Sequence, residues 1–112
     1  MNPSTFVKLL RKTVIEENLL SYQKLLSTTK EASDPVWKSI LPIYHNLNEE
    51  QKVAFLNFLR IVEINTLSHV LGILDGSSSK YEISEDLVLI SDQSSEKING
   101  DLQDIFLALE GY

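Results

Sequence analysis

Glu63 is the residue whose setting most invites chemistry. In Leu59-Arg60-Ile61-Val62-Glu63-Ile64 it stands among apolar neighbours, and helical spacing sets it between Leu56, Leu59, Val70 and Leu74. A carboxylate in such surroundings either finds a partner or holds its proton more tightly than usual. As a catalytic acid or base it would need a cleft and a second polar group converging on the same point. The plainer expectation is an ion pair, with Arg60 one turn earlier or with Arg11 or Lys12 of the first helical segment.

The two histidines are the other acid–base candidates. His69 shares a helical face with Phe58, Val62 and Ile73, with Asn65 one turn before it. Glu63 with His69 is therefore the pair on which a small enzyme or ligand-binding domain would rest. A histidine bonded to a polar neighbour is the ordinary alternative. His45, in Tyr44-His45-Asn46, reads as a surface or capping histidine.

A metal site would need more ligands than one histidine and one asparagine, and no cofactor is expected. The chain has no cysteine, which removes disulfides, thiolate zinc sites, cysteine nucleophiles and Cys-ligated iron–sulfur clusters together. It holds no phosphate-binding glycine loop, no H-E-x-x-H, no G-x-S-x-G and no EF-hand spacing. Gly72, Gly76, Gly100 and Gly111 read as helix-end and turn residues. Neither histidine has an identifiable Ser and Asp companion for a triad. The expectation is a protein that is not an enzyme.

Charge is the most informative property of the composition. Ten Lys+Arg against 16 Asp+Glu leave a formal charge of −6 at pH 7. Residues 1–30 carry five basic against two acidic side chains, whereas residues 81–112 carry Lys97 alone against eight acids. Such an acidic block repels phosphate backbones and attracts basic partners. Asp86, Asp92, Glu96, Asp101 and Asp104 are thus candidate contacts for a basic protein, with a solvated face and helix caps as the plain alternative. Nucleic acid is not an expected partner. Arg60 and Glu63 interrupt the most apolar stretch, so no membrane-crossing segment is expected either. Lys8, Arg11 and Lys12 break the apolar residues near the N-terminus, unlike a signal peptide, and the expected location is the cytoplasm.

The elements that must position these residues are mainly helical. With 112 residues, 43% of them apolar, one helix-rich domain covering 1–112 is expected. Residues 4 to 29 lack interior Gly and Pro, and Ser4 or Thr5 can cap them. Val7, Leu10 and Val14 form one stripe there, while Ile15, Leu19, Tyr22 and Leu26 form another, rotated one. One long helix touching two neighbours accommodates both. Asp34-Pro35 starts a second helix, which Pro42 should kink or divide at Leu41-Pro42.

Asn48-Glu49-Glu50-Gln51 is a capping box, and Asp75-Gly76 a stop, bracketing a long and unusually apolar helix. Apolar residues cover most of its circumference, so it is read as an enclosed central element with the other segments wrapped around it. Ser77-Ser78-Ser79 reads as a loop. Leu87-Val88-Leu89-Ile90, the turn chemistry of Asp92-Gln93-Ser94-Ser95 and Glu96 to Asn99 predict a small C-terminal β-hairpin. Asp101 should then cap a short final helix closed by Gly111. The fold class is mainly α with a minor β part: a helical bundle around one long apolar central helix.

The function that fits is a non-catalytic protein-interaction or regulatory module contacting a basic partner. Immunity-like or inhibitor proteins that block a basic toxin are one form of it, by likeness of size and charge alone. A structural homodimer subunit is the alternative, should the other helices fail to cover the central one. Tyr22, Trp37, Tyr44, Tyr81 and Tyr112 are aromatic candidates for a binding surface, with Trp37 more naturally a core residue.

Overall fold

The computed structural model describes residues 1–76 and 85–112. Among them the chain is mainly helical: α1 (Pro3–Leu10), a π-helical segment (Arg11–Glu17), α2 (Asn18–Thr28), α3 (Pro35–His45), α4 (Glu49–Asp75) and α5 (Leu102–Leu109). The loop expected at residues 77–79 and the candidate aromatic Tyr81 lie outside the described residues.

α1, the π segment and α2 form one unbroken helical rod, because the residues at both junctions keep right-handed helical dihedrals. Its cap is Asn2, whose side chain accepts from the Thr5 amide at 2.8 Å, rather than Ser4 or Thr5. Pro3 has its φ preset for the first helical position and has no amide to leave unpaired, which starts the helix there. The π segment accounts for the two offset stripes in the sequence. Eight α-helical residues would leave Ile15 about 80° round from Val7. The wider i→i+5 turn winds through less angle per residue, and both side chains are fully buried in the same core.

α3 begins at Asp34, whose carboxylate accepts from the amides of Val36 and Trp37. It runs continuously to His45, so the division expected at Leu41-Pro42 does not occur. Leu41 and Tyr44 flank Pro42 and are buried together against Leu26, which holds the turn in place despite the missing amide bond.

The capping box of α4 is present in full, with Asn48 and Gln51 each bonding the other's backbone amide. Gly76 ends the helix in the left-handed conformation at φ 70°. At 27 residues α4 is about 40 Å long, whereas the eight-residue α5 reaches only about 12 Å. α5 lies on the second half of α4, from Asp75 back to Arg60.

The expectation of an enclosed spine is overturned, because the short α5 covers only one face of the second half of α4. Ile64, Leu67 and Leu71 are buried, but Val53, Phe58, Ile61, Val62 and Val70 stand exposed. Gly72 differs from its expected role as well. It lies inside α4, where an added Cβ would stand 2.9 Å from the side-chain nitrogen Nε2 of Gln103. The missing side chain leaves room for the Gln103 side chain to lie across α4 and donate to the Ser68 carbonyl and hydroxyl.

The predicted β-hairpin is not formed: the described residues contain no strand, only one antiparallel bridge between Ile90 and Lys97. The buried side chain of Asn99 is the reason. Its oxygen accepts from the Leu89 amide, and its nitrogen donates to the carbonyls of Leu87 and Leu74. Backbone groups that a ladder would need are therefore bonded to one side chain, which fastens this segment to the end of α4.

The hydrophobic interior falls into two clusters. One gathers Val7, Ile15, Ile64, Leu67, Leu71, Ile98, Leu102 and Phe106. The other gathers Leu26, Leu41 and Tyr44, with Trp37, Phe55 and Leu59 partly buried around them. The molecule is accordingly elongated, 49 × 30 × 29 Å, with a radius of gyration of 17.5 Å against about 13 Å for a compact chain of this length.

Candidate functional site

Glu63 lies on the seam between the π segment, α2 and α4. It lines a hollow of about 340 Å³ with the polar residues Asn18, Tyr22 and Thr66 and the apolar Val14, Val62, Leu67 and Val70. Its Oε2 atom is buried and has no hydrogen-bond partner among the described residues. Burial pushes the Glu63 carboxyl above the ordinary carboxylate value, and the nearby charge of Arg60 opposes the shift only in part. Among the described residues the expected ion pair with Arg60, Arg11 or Lys12 is not formed.

The arginines face elsewhere. Arg60 meets Glu16 at 2.9 Å and Glu110 at 3.3 Å, while Arg11 meets Glu110 at 2.6 Å. Burial disfavours the charge on Arg60, but bonds and charges from Glu16 and Glu110 outweigh it and raise its pKa further. The Glu110 side chain is only 5% exposed, so these two arginines fasten the end of α5 to the π segment and the middle of α4. Glu110 escaped the sequence reading because it sits beside the closing glycine, where an exposed acid is the default.

His69 does not join Glu63. Six residues of helix separate them by about 120° around α4, and His69 is on an exposed part of the helix. His45 has a structural bond instead, its Nε2 lying 2.9 Å from the Leu26 carbonyl at the end of α2. Among the described residues no group of three or more His, Asp or Glu side chains is placed to hold a metal. No helix among them is long and apolar enough to cross a membrane.

Asp86, Asp92, Glu96, Asp101 and Asp104 are all exposed, and none pairs with a described basic residue. Asp101 occupies the cap position of α5, but its side chain makes no capping bond. Asp75 does that work from the end of α4, accepting from the amides of Gly100 at 2.7 Å and Gln103 at 2.8 Å. A cap supplied from 28 residues away leaves no local signal in the sequence.

Two apolar surfaces remain. The outer face of α4 presents Phe58 at 63% and Ile61 at 50% exposure, with Val62 beside them. A second hollow, of about 500 Å³, lies where α2, α3 and α4 meet. Trp37 lines it, stacked on Tyr22 with centroids 6.4 Å apart, along with Val36, Ile40, Phe55 and Leu59. Tyr22 lines both hollows. Trp37 is thus half core and half surface, rather than core alone. The chain matches no protein-family model, no curated protein and no solved structure, so its own residues carry the functional reading.

Proposed function

We propose that the chain is a non-catalytic protein-interaction or regulatory module of the cytoplasm that docks a basic protein partner. The observation that carries this reading is the bare apolar face of α4, with Phe58, Ile61 and Val62 exposed side by side on the helix. Large apolar side chains grouped in this way mark interaction surfaces on soluble proteins, and aromatic residues at their centre often dominate binding. Asp86, Asp92, Glu96, Asp101 and Asp104, on the segment fastened to the C-terminal end of α4, then add a negative field that speeds the approach of a basic partner. Blocking a basic toxin or nucleic-acid-binding protein, as immunity-like inhibitors do, is one form of this function. The separation of Glu63 from His69 weighs against catalysis by that pair.

A structural homodimer subunit is the second reading. Phe58, Ile61 and Asn65 follow the 3,4 spacing of a helix–helix seam, and an asparagine within such a seam fixes register. Sedimentation across a range of concentrations separates the two readings.

Affinity capture over a salt series, followed by calorimetry of the recovered partner, tests the module itself. Phe58→Glu is expected to weaken binding at least about tenfold, the scale of a modest interface hot spot. Neutralising Asp86, Asp92 and Glu96 should mainly lower the association rate and its salt dependence. A protein that neither captures a partner nor self-associates overturns the reading, as does any turnover that Glu63→Gln abolishes.

A further inference from the structure

The two hollows share Tyr22 and follow one another along α4, as a trough in two parts. Its floor is Phe55, Leu59, Val62, Thr66 and Val70, spaced 4, 3, 4 and 4, which places them on one side of the helix over about 22 Å. α2 supplies one wall through Asn18, Tyr22 and Leu26, and α3 closes one end with Trp37. Glu63 is the only acidic or basic side chain among the described residues that line it. It stands near the middle, with a buried oxygen that no described group bonds.

We propose that this trough is the docking site for an amphipathic helix of a partner protein, with a lysine or arginine of that helix meeting Glu63. The inference rests on the interaction-module reading and adds the site and chemistry of the partner. A trough between two packed helices, with an apolar floor interrupted by few polar groups, is the shape into which a third helix lays its apolar face. The charge is complementary. One carboxylate lacking a partner inside an apolar surface demands a cation, and the chain's net charge of −6 favours a basic approach. The π segment supports the same place: Val14 lies within it and Asn18 follows it directly, so its wide turn sets part of the wall beside Glu63.

Trp37 is the only tryptophan in the chain and reports occupancy of the trough directly. The probe is a synthetic amphipathic helix of leucine, alanine and lysine, without tryptophan, and the control replaces each lysine by glutamine. A saturable shift of Trp37 emission is expected with the lysine helix. Glu63→Gln, or use of the control helix, should weaken it about tenfold, the loss of one charge-assisted bond. Thr66→Arg, at an exposed position one turn from Glu63, supplies an internal cation and should abolish the response.

Substituting Asp86, Asp92 and Glu96 by their amides should leave the affinity within about twofold, since those exposed acids act on approach rather than on the docked state. Equal affinity for wild type and Glu63→Gln overturns the proposal, as does the absence of any response. An emission shift driven by protein concentration alone assigns the trough to a second copy and overturns it too. If these fail while Phe58→Glu still disrupts the natural partner, docking belongs to the outer face and the module reading stands. Failure of both removes the module reading with it.

Discussion

The two halves of α4 are built from similar residues and end in different surroundings. From Ile64 to Leu71 one face of the helix is roofed by α5, and Leu102 and Phe106 are fully buried against it, while Val70 on another face stays exposed. From Val53 to Val62 the roof is missing, and Val53, Phe58, Ile61 and Val62 face water. The boundary is set by Glu110, where α5 stops and two arginines fasten it. Apolar composition alone therefore does not make a buried helix. What decides is whether the chain supplies enough further surface to cover it, and here α5 is too short.

The largest expected contrast between the halves comes from truncating an aromatic in each. Phe106→Ala should cost about 3–5 kcal/mol in urea unfolding, the range for a buried phenylalanine, because its side chain has no exposure. The exposed counterpart, Phe58→Ala, should change monomer stability by no more than about 0.5 kcal/mol. Equal costs would erase the distinction between closed and open halves.

Glu110→Gln sharpens the boundary between them. It removes the shared carboxylate of Arg11 and Arg60, and the expected loss is about 2 kcal/mol, between the values for buried and exposed pairs. Hydrogen exchange should quicken in α5 and leave α3 unchanged. Uniform acceleration across both ends would contradict a fastening local to the closed half.

Glu63→Gln should act in the opposite direction, raising stability at neutral pH by less than about 1 kcal/mol once solvent screening is allowed for, because a carboxylate with one buried oxygen that no described group bonds becomes a neutral amide. The sign follows from the raised pKa of Glu63. A carboxyl that binds its proton more tightly folded than unfolded gains stability as pH falls through its folded value toward the ordinary range. The advantage of the variant should therefore be greatest at neutral pH and shrink on acidification. Thermal unfolding of both proteins from pH 7 to pH 4, a window set by general carboxylate behaviour, measures it. A variant less stable than wild type at pH 7 would show that Glu63 has a favourable partner.

The smallest effect concerns the exposed acids. Asp92→Asn should leave stability within about 0.5 kcal/mol, since this residue forms no ion pair with a described group. A larger loss in equilibrium unfolding would make the acidic third structural.

Local chemistry was legible in the sequence wherever one stretch of chain decides the outcome. The capping box at Asn48 and Gln51, the start at Asp34-Pro35 and the stop at Gly76 all form as their residue types predict. The expected location of Glu63 within an apolar arc also corresponds to its buried oxygen. What escaped was long-range. Asn99 is a turn-former by type, yet here it takes up the bonds of a would-be strand. Arg60 has Glu63 within reach along the helix but is drawn to Glu16 and Glu110 across the packing. The two offset stripes of residues 7–26 signalled a change in winding, which a period fixed at 3.6 could only render as two faces. The open half of α4 was hidden for the same reason, because helical periodicity cannot count how many neighbours a helix will have.

The uncovered half of α4 is tested most directly by hydroxyl-radical footprinting of the chain at a concentration where it sediments as a monomer. Phe58 should be oxidised far faster than Phe106, and Phe58 should become protected when the partner binds. Phe58 as protected as Phe106 in the isolated monomer would contradict the account.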